Sequence, residues 1–181
     1  MEFKKIQLNG FKSFAEKADF LIEDGLTGIV GPNGCGKSNI VESLRWAMGE
    51  TSAKSMRGSG MEDVIFSGTS NKASKNIAEV TIEVENKDKE GPVQYRDQDQ
   101  IQIKRKIEKD KGSKFYINGK EVRARDVQMF FADLSTGAHS PSMISQGRIG
   151  ALVTAKPTDR RAILEEAAGI SGLHVRRHEA E

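Results

Sequence analysis

The sequence has almost no cysteine: Cys35 is the only one among 181 residues. A single thiol excludes a disulfide framework and favours a reducing compartment. The sequence also lacks an apolar run that approaches the ~20 residues of a membrane-spanning helix, and its first residues do not resemble a signal peptide. We therefore expect a cytoplasmic protein that has no membrane partner.

A large excess of charge of one sign is also missing. The net charge is +2, although 30% of the residues are charged and 36% are hydrophobic. This is the composition of a globular chain, and so small a net charge does not by itself indicate a nucleic-acid partner. Any basic surface must be local. The length allows one good core and a small second lobe.

What the sequence does contain is one complete phosphate-binding motif. Residues 31–38 read Gly-Pro-Asn-Gly-Cys-Gly-Lys-Ser and fit Gly-x-x-x-x-Gly-Lys-Ser without a mismatch. The glycines of such a loop let several backbone N–H groups point inward at an anion. Lys37 can reach the β- and γ-phosphates of a nucleotide, and the hydroxyl of Ser38 can ligate the Mg²⁺ that bridges them.

The residues on either side of this loop have the order strand, loop, helix that such a site requires. The apolar run at residues 26–30 predicts a strand that enters the loop. The residues that follow have the spacing of one helix face: Ile40, Val41, Leu44, Ala47 and Met48. We expect this helix to begin near Gly36, with the positive end of its dipole beneath the phosphates. A glycine-rich turn without a ligand does not need this order, so the sequence indicates nucleotide binding.

The rest of the chain predicts a sheet and further helices. Alternating apolar residues predict strands near residues 3–8, 18–22, 77–84 and 101–107. Asn118-Gly119 between two apolar runs predicts a two-residue hairpin turn. Helical spacing is found in two further places, Val127 to Leu134 and the segment that opens at Pro157.

Two basic features have more than one interpretation. Residues 104–114 carry six basic and two acidic side chains, which fits either a solvated face or a contact with DNA. Arg57 lies in residues 49–60, a segment rich in serine and glycine that predicts an exposed loop. The local sequence around Arg57 favours a solvated side chain.

Five motifs in this order and spacing resemble the SMC (structural maintenance of chromosomes) family. They are Gly-Phe-Lys-Ser-Phe at 10–14, the phosphate loop with Asn39, Met-Arg-Gly at 56–58, Ser-Gln-Gly at 145–147 and Glu-Glu-Ala-Ala-Gly-Ile at 165–170. The chain is most similar to the N-terminal half of the ATPase head of the bacterial chromosome-condensation members. The loop at residues 138–143 departs from the family's pattern.

The resemblance implies an α/β fold, a P-loop NTPase of the ABC-ATPase type with a mixed or antiparallel sheet around the Walker A helix. Residues 1–170 would form the N-terminal part of the head. A C-terminal helix would lead into a coiled coil, which residues 171–181 would begin.

The resemblance also implies a set of residues for ATP and Mg²⁺. The nucleotide-binding residues would be Lys12, Ser13, Pro32, Asn33, Gly34, Cys35, Gly36, Lys37, Ser38, Asn39 and Arg57. Gln146 would be the glutamine that, with Ser38, approaches the metal and the attacking water. Arg57 would reach the nucleotide and help couple DNA binding to hydrolysis. The catalytic roles would fall to Lys37, Gln146 and Arg57.

Two motifs of a complete ATPase are missing from the sequence. Residues 129–133 end in an acid but have helical spacing, and Leu134-Ser135-Thr136-Gly137 is not a Leu-Ser-Gly-Gly signature. In the family both motifs lie in the C-terminal half of the polypeptide. The chain alone is therefore expected to hold nucleotide weakly and to hydrolyse almost none.

The resemblance implies four partners: the C-terminal half of the same head, a second head in a homodimer, a kleisin-type adaptor and double-stranded DNA. The implied function is ATP-driven DNA binding, chromosome condensation and segregation. Four alternatives stay open. They are a related coiled-coil DNA-repair ATPase, an ABC transporter ATPase subunit, a small phosphate-loop kinase and a binding module without its own turnover.

Overall fold

The computed structural model describes residues 1–87, 89, 91–133 and 153–161. The strands are β1 Glu2–Asn9, β2 Ala18–Leu21, β3 Ile77–Glu85, β4 Gln100–Glu108, β5 Gly112–Ile117 and β6 Lys120–Val122. The two α-helices that pack on the sheet are α1 Lys37–Ala47 and α2 Ala124–Asp133. Residues 157–161 are also helical, as predicted for the segment that opens at Pro157. Short 3-10 turns lie at Lys54–Met56, Met61–Val64 and Val93–Tyr95. None of the helices in these ranges is long and apolar enough to span a membrane.

All six strands join one antiparallel sheet in the order β2-β1-β3-β4-β5-β6. The Asn118-Gly119 prediction is confirmed: the turn joins β5 to β6, and both residues have positive φ, 48° and 79°. A two-residue hairpin with a right-handed twist needs this conformation at both central positions. The predicted α/β class is therefore observed, and the sheet is antiparallel rather than mixed.

Both helices cover the same face of the sheet. Along β4, buried and partly exposed residues alternate, and Ile101, Ile103 and Ile107 point into the core. Trp46 of α1 is fully buried, with its ring centroid 5.5 Å from that of Phe11. Three of the side chains predicted to share a helix face, Val127, Phe130 and Phe131, are also buried in α2, and the fourth, Leu134, lies outside the described residues. The core thus fixes α1, and with it the phosphate loop, against the centre of the sheet.

One predicted strand is wrong. Residues 26–30 adopt no strand conformation, and they carry exposed apolar side chains: Leu26 is 95% exposed and Val30 is 91% exposed. An isolated extended segment gains nothing from its β-propensity unless a neighbouring strand supplies hydrogen bonds and apolar contacts. Within the described ranges no strand pairs with this segment.

The predicted loop at residues 49–60 is more ordered than its composition suggested. It contains the turn Lys54–Met56, and Met56 is buried in the core although the segment offers few other apolar residues. Several predictions lie outside the described residues. They are Gln146, the motifs at 145–147 and 165–170, and the boundary between residues 170 and 171.

Candidate functional site

The phosphate loop reaches α1 through two glycines in the left-handed region. Gly34 has φ 83° and Gly36, the N-cap of α1, has φ 93°. A Cβ atom on Gly36 would lie 2.7 Å from Ser13 Oγ and 3.3 Å from the ring of Phe14. Glycine is therefore required at this position both by backbone conformation and by the close approach of residues 10–14. The sequence motif and the turn at 10–14 meet here.

Lys37 is folded back onto its own loop. Its Nζ donates to the carbonyl oxygens of Gly31, at 2.6 Å, and of Pro32, at 2.5 Å. Cys35 Sγ is 4.0 Å from the same nitrogen. These neutral acceptors are weaker partners for an ammonium group than a phosphate oxygen would be. A nucleotide phosphate can therefore bind Lys37 without breaking an ion pair to any residue that the structure describes.

The start of α1 is suited to an anion and a magnesium ion. The first turn of this helix holds no acidic side chain, so nothing there offsets the positive end of the dipole. Ser38 is exposed at the second helical position. The described residues offer no cluster of three or more acidic, histidine or cysteine side chains. A serine hydroxyl with phosphate oxygens and water fits Mg²⁺, because the serine that ends a phosphate loop is a recognised magnesium ligand.

Lys12, Ser13 and Asn39 are brought together beside the loop. Asn39 Nδ2 donates to Ser13 Oγ at 2.9 Å. Lys12 donates from Nζ to the carbonyl oxygen of Met56 and forms an ion pair with Glu42 of α1. The site therefore joins three segments that are far apart in sequence: the turn at 10–14, α1 and the loop at 49–60.

Arg57 is anchored to α1 rather than simply solvated. Its Nε pairs with the Glu42 carboxylate, and its Nη2 donates to Asn39 Oδ1 at 3.0 Å. The side chain is still 58% exposed. The interpretation from local sequence alone therefore missed these anchors. The likeness of residues 56–58 to a family motif predicted that Arg57 reaches the nucleotide. The structure places Arg57 beside Asn39, next to the phosphate loop, and its contact with a nucleotide stays a prediction.

A carboxylate downstream of Arg57 fixes the rest of this loop. Asp63 Oδ2 accepts hydrogen bonds from the backbone N–H of Gly60, at 3.0 Å, and from the N–H and Oγ of Ser59, at 2.6 and 2.9 Å. These bonds, that from Gly60 foremost, hold the pKa of Asp63 below its usual value. Asp63 was not predicted as part of the site.

The basic segment at 104–114 is not a uniform exposed surface. Arg105 points into the core, where its Nη1 donates to the carbonyl oxygens of Trp46, at 2.7 Å, and Glu50, at 2.6 Å. Burial lowers its pKa to about 10. Three of the lysines pair with acids: Lys106 with Glu79, Lys111 with Glu108 and Lys114 with Glu121. Most of the excess charge of this segment is therefore buried or paired.

Comparison with known families agrees with this geometry. A family model described as the RecF/RecN/SMC N terminal domain matches residues 2–148. The chain belongs to this family. The match covers the phosphate loop, the sheet and both α-helices, so the resemblance to SMC proteins found from the sequence motifs is confirmed.

Curated relatives named as SMC proteins match this chain over its whole length. The Chromosome partition protein Smc of Rhodopseudomonas palustris is 57% identical over 181 residues, which is 100% of this chain and 16% of that protein. The protein of the same name from Cereibacter sphaeroides is 58% identical over the same lengths of both chains. This chain thus spans 16% of the length of these SMC relatives.

Solved SMC heads have the same fold. An Smc head domain from Pyrococcus furiosus, with an extended coiled coil and bound to the C-terminal domain of ScpA, has a TM-score of 0.82 and is 31% identical. The match covers 98% of this chain and 44% of that one. A structure from work on ATP-driven dimerization and DNA-stimulated activation of SMC ATPases has a TM-score of 0.77 and is 30% identical, over 92% and 99% of the two chains. The predicted fold, the N-terminal lobe of an ABC-type ATPase head, is confirmed.

Proposed function

We propose that this chain is the nucleotide-binding half of an SMC ATPase head. The observation that carries the proposal is the complete phosphate loop at residues 31–38, which runs into the N-terminus of α1. Among the described residues, Lys37 is held by the neutral carbonyl groups of Gly31 and Pro32 and lies near Cys35 Sγ. Backbone N–H groups of the loop and the helix dipole would bind the β- and γ-phosphates of ATP. Lys37 would release the carbonyl oxygens of Gly31 and Pro32 and donate to phosphate oxygens instead.

Other residues would complete the site. Ser38 would hold Mg²⁺, which draws charge from the phosphates and so assists attack by water. Gln146 would approach the metal and that water, and Arg57 would couple DNA binding to hydrolysis. Pro32, Asn33, Gly34, Cys35 and Gly36 would contribute the wall of the loop, with Lys12, Ser13 and Asn39 beside it.

The exposed segment at residues 26–30 supports a second half of the head. Leu26 and Val30 stand in solvent immediately before the phosphate loop, although they have the composition of a buried strand. We propose that a strand from the C-terminal half pairs with this segment and covers it. That half would also supply the acidic strand and the signature motif, so this chain alone would hydrolyse almost no ATP.

The names of the relatives support the larger role. Curated relatives are chromosome partition proteins, solved neighbours are bound to ScpA, and one neighbour concerns ATP-driven dimerization. We propose a cytoplasmic, nucleoid-associated protein that forms a homodimer of heads and acts with a kleisin adaptor and double-stranded DNA. Its role would be chromosome condensation and segregation. Residues 1–170 would belong to the head, and 171–181 would begin the coiled-coil arm.

Replacing Lys37 tests the nucleotide site. In the complete head, by which we mean this chain together with its C-terminal half, Lys37→Ala should reduce ATP binding by at least about a hundredfold, because charge-assisted bonds to two phosphates are lost. Binding is measured with a labelled ATP analogue, and circular dichroism checks that the fold is retained.

Lys54 provides a matched control, since it is an exposed lysine in the nearby turn Lys54–Met56. Lys54→Ala should leave ATP affinity within about twofold of the parent, as expected for a solvated charge. If the Lys37 variant keeps a native spectrum and the parent's affinity, the phosphate loop does not hold ATP in the proposed way.

A further inference from the structure

Glu42 is a buried carboxylate at the centre of the cluster beside the phosphate loop. It lies on α1, one turn after Ser38, and its side chain is only 9% exposed. One oxygen pairs with Lys12 Nζ and the other with Arg57 Nε. A single acid therefore binds two cations that reach α1 from different segments of the chain.

The backbone at both cations adopts an unusual conformation. Lys12 has φ 46° and Arg57 has φ 55°, in the left-handed region that residues with a side chain seldom adopt. Such conformations persist where the surrounding contacts overdetermine them. At both positions the side chain ends on Glu42, so this carboxylate is a contact that the two strained residues share.

Glu42 binds the inner side of the Arg57 guanidinium and leaves much of it accessible. Nε faces Glu42, and Nη2 donates to Asn39, the residue that directly follows Ser38. A guanidinium has five N–H donors, and among the described residues these are its two hydrogen-bond partners. The remaining donors belong to a side chain that is 58% exposed. Arg57 can thus bind phosphate without leaving Glu42.

We propose that Glu42 is a positioning residue that holds Lys12 and Arg57 within reach of the phosphates bound at residues 31–38. The inference rests on the proposed nucleotide-binding function. This role needs both the negative charge and the two oxygen atoms of a carboxylate, because one oxygen pairs with Lys12 and the other with Arg57. The amide of a glutamine would present a donor to one of the two cations and lose the ion pair with both.

The test is ATP affinity of the complete head with Glu42→Gln, Arg57→Ala and the double variant, measured with a labelled ATP analogue. We expect Glu42→Gln to bind at least about fivefold more weakly, as for a lost charge-assisted contact. Because Glu42 acts partly through Arg57, its effect in the Arg57→Ala background should shrink by at least half. Parent affinity for Glu42→Gln, or an undiminished effect in the double variant, would overturn the proposal.

Ser43→Ala is the matched control. Ser43 is the next residue of α1, is fully buried, and donates to the carbonyl oxygen of Ile40 within the same helix at 2.7 Å. It should lose stability but keep ATP affinity within about twofold, because it contacts neither cation. A loss equal to that of Glu42→Gln would mean that any damage to α1 weakens binding and that Glu42 has no positioning role.

Amide hydrogen exchange gives a second measurement that does not need nucleotide. The N–H groups of Arg57 and Gly58 donate to Lys54 and Ala53, and their exchange should quicken in Glu42→Gln while the strands keep the parent's protection. Unchanged exchange at these two amides contradicts the proposal.

If Glu42→Gln does not fold, the variant Glu42→Asp is tested by the same two measurements, because the shorter aspartate side chain cannot contact both cations. A parent head that does not bind ATP refutes the proposed function itself.

Discussion

The turn between the phosphate loop and α1 requires a residue without a side chain at position 36. Gly36 needs glycine because of its φ of 93° and because Ser13 Oγ would be 2.7 Å from a Cβ atom. Gly34 has a similar φ of 83°, but a Cβ atom there would meet nothing within 4 Å. A substitution at Gly34 therefore adds backbone strain alone, whereas a substitution at Gly36 adds backbone strain and a steric clash.

We predict that Gly36→Ala destabilises the free chain by at least ~1 kcal/mol more than Gly34→Ala. Both variants place alanine in the left-handed region, at a cost of roughly 1–2 kcal/mol, and only Gly36→Ala also pushes residues 13 and 14 away. Urea unfolding can be followed by the fluorescence of Trp46, the only tryptophan of the chain. Equal midpoints for the two variants would show that the turn at 10–14 does not press on the loop.

At the residue scale the sequence predicted local backbone structure where the chemistry and spacing of a motif coincide, and the binding roles of those residues stay predictions. Gly36, Lys37 and Ser38 lie where the motif placed them. Glu42 and Asp63 were not predicted, because a glutamate on a helix and an aspartate in a loop are ordinary surface residues in sequence. Only the positions of Lys12, Arg57 and Ser59 in space reveal what these two acids bind.

At the scale of secondary-structure elements, a buried arginine of the sheet caps the end of α1. Arg105 donates from β4 to Trp46 O in the last turn of α1 and to Glu50 O just beyond it. Its guanidinium carbon lies 4.5 Å from the ring centroids of both Trp46 and Phe115. The positive charge also meets the negative end of the helix dipole. One side chain thus fixes α1 at the end opposite the phosphate loop.

We predict that Arg105→Ala lowers the free energy of unfolding by about 2–4 kcal/mol, because two carbonyl oxygens lose a charged donor and two aromatic rings lose the cation that lies over them. Lys104 is the control: it precedes Arg105 on the opposite face of β4. Lys104→Ala should change stability by no more than ~0.5 kcal/mol. Similar losses in the two variants, measured by urea unfolding, would contradict the burial of Arg105 in solution.

The prediction of strands succeeded where the strands pair among the described residues, and it failed for residues 26–30, which have no such pairing there. Alternation located β1, β3 and β4, and Asn118-Gly119 located the turn between β5 and β6. Residues 26–30 have strand-like composition, yet no strand among the described residues pairs with them. The alternating pattern also did not predict that Arg105 is buried. Its side chain lies on the core face of β4 because it donates to carbonyl groups at the end of α1.

At the scale of the whole molecule, we propose that this chain is one half of a head. The sheet, the phosphate loop and the cluster of Lys12, Glu42 and Arg57 belong to it. Leu26 and Val30 are exposed, as expected of a surface that the second half would cover. The apolar area of such side chains contributes stability only when it is buried. Pairing with the C-terminal half should therefore both fix residues 26–30 in place and strengthen nucleotide binding.

The most direct test is a titration of labelled ATP and Mg²⁺ into this chain, alone and together with the C-terminal half. We predict that affinity rises by at least about tenfold when the second half is present, equivalent to ~1.4 kcal/mol, and that turnover is measurable only with both halves. Identical affinity in the two samples, or full ATP turnover by the 181-residue chain alone, would contradict the proposal that the site is shared between two halves of one head.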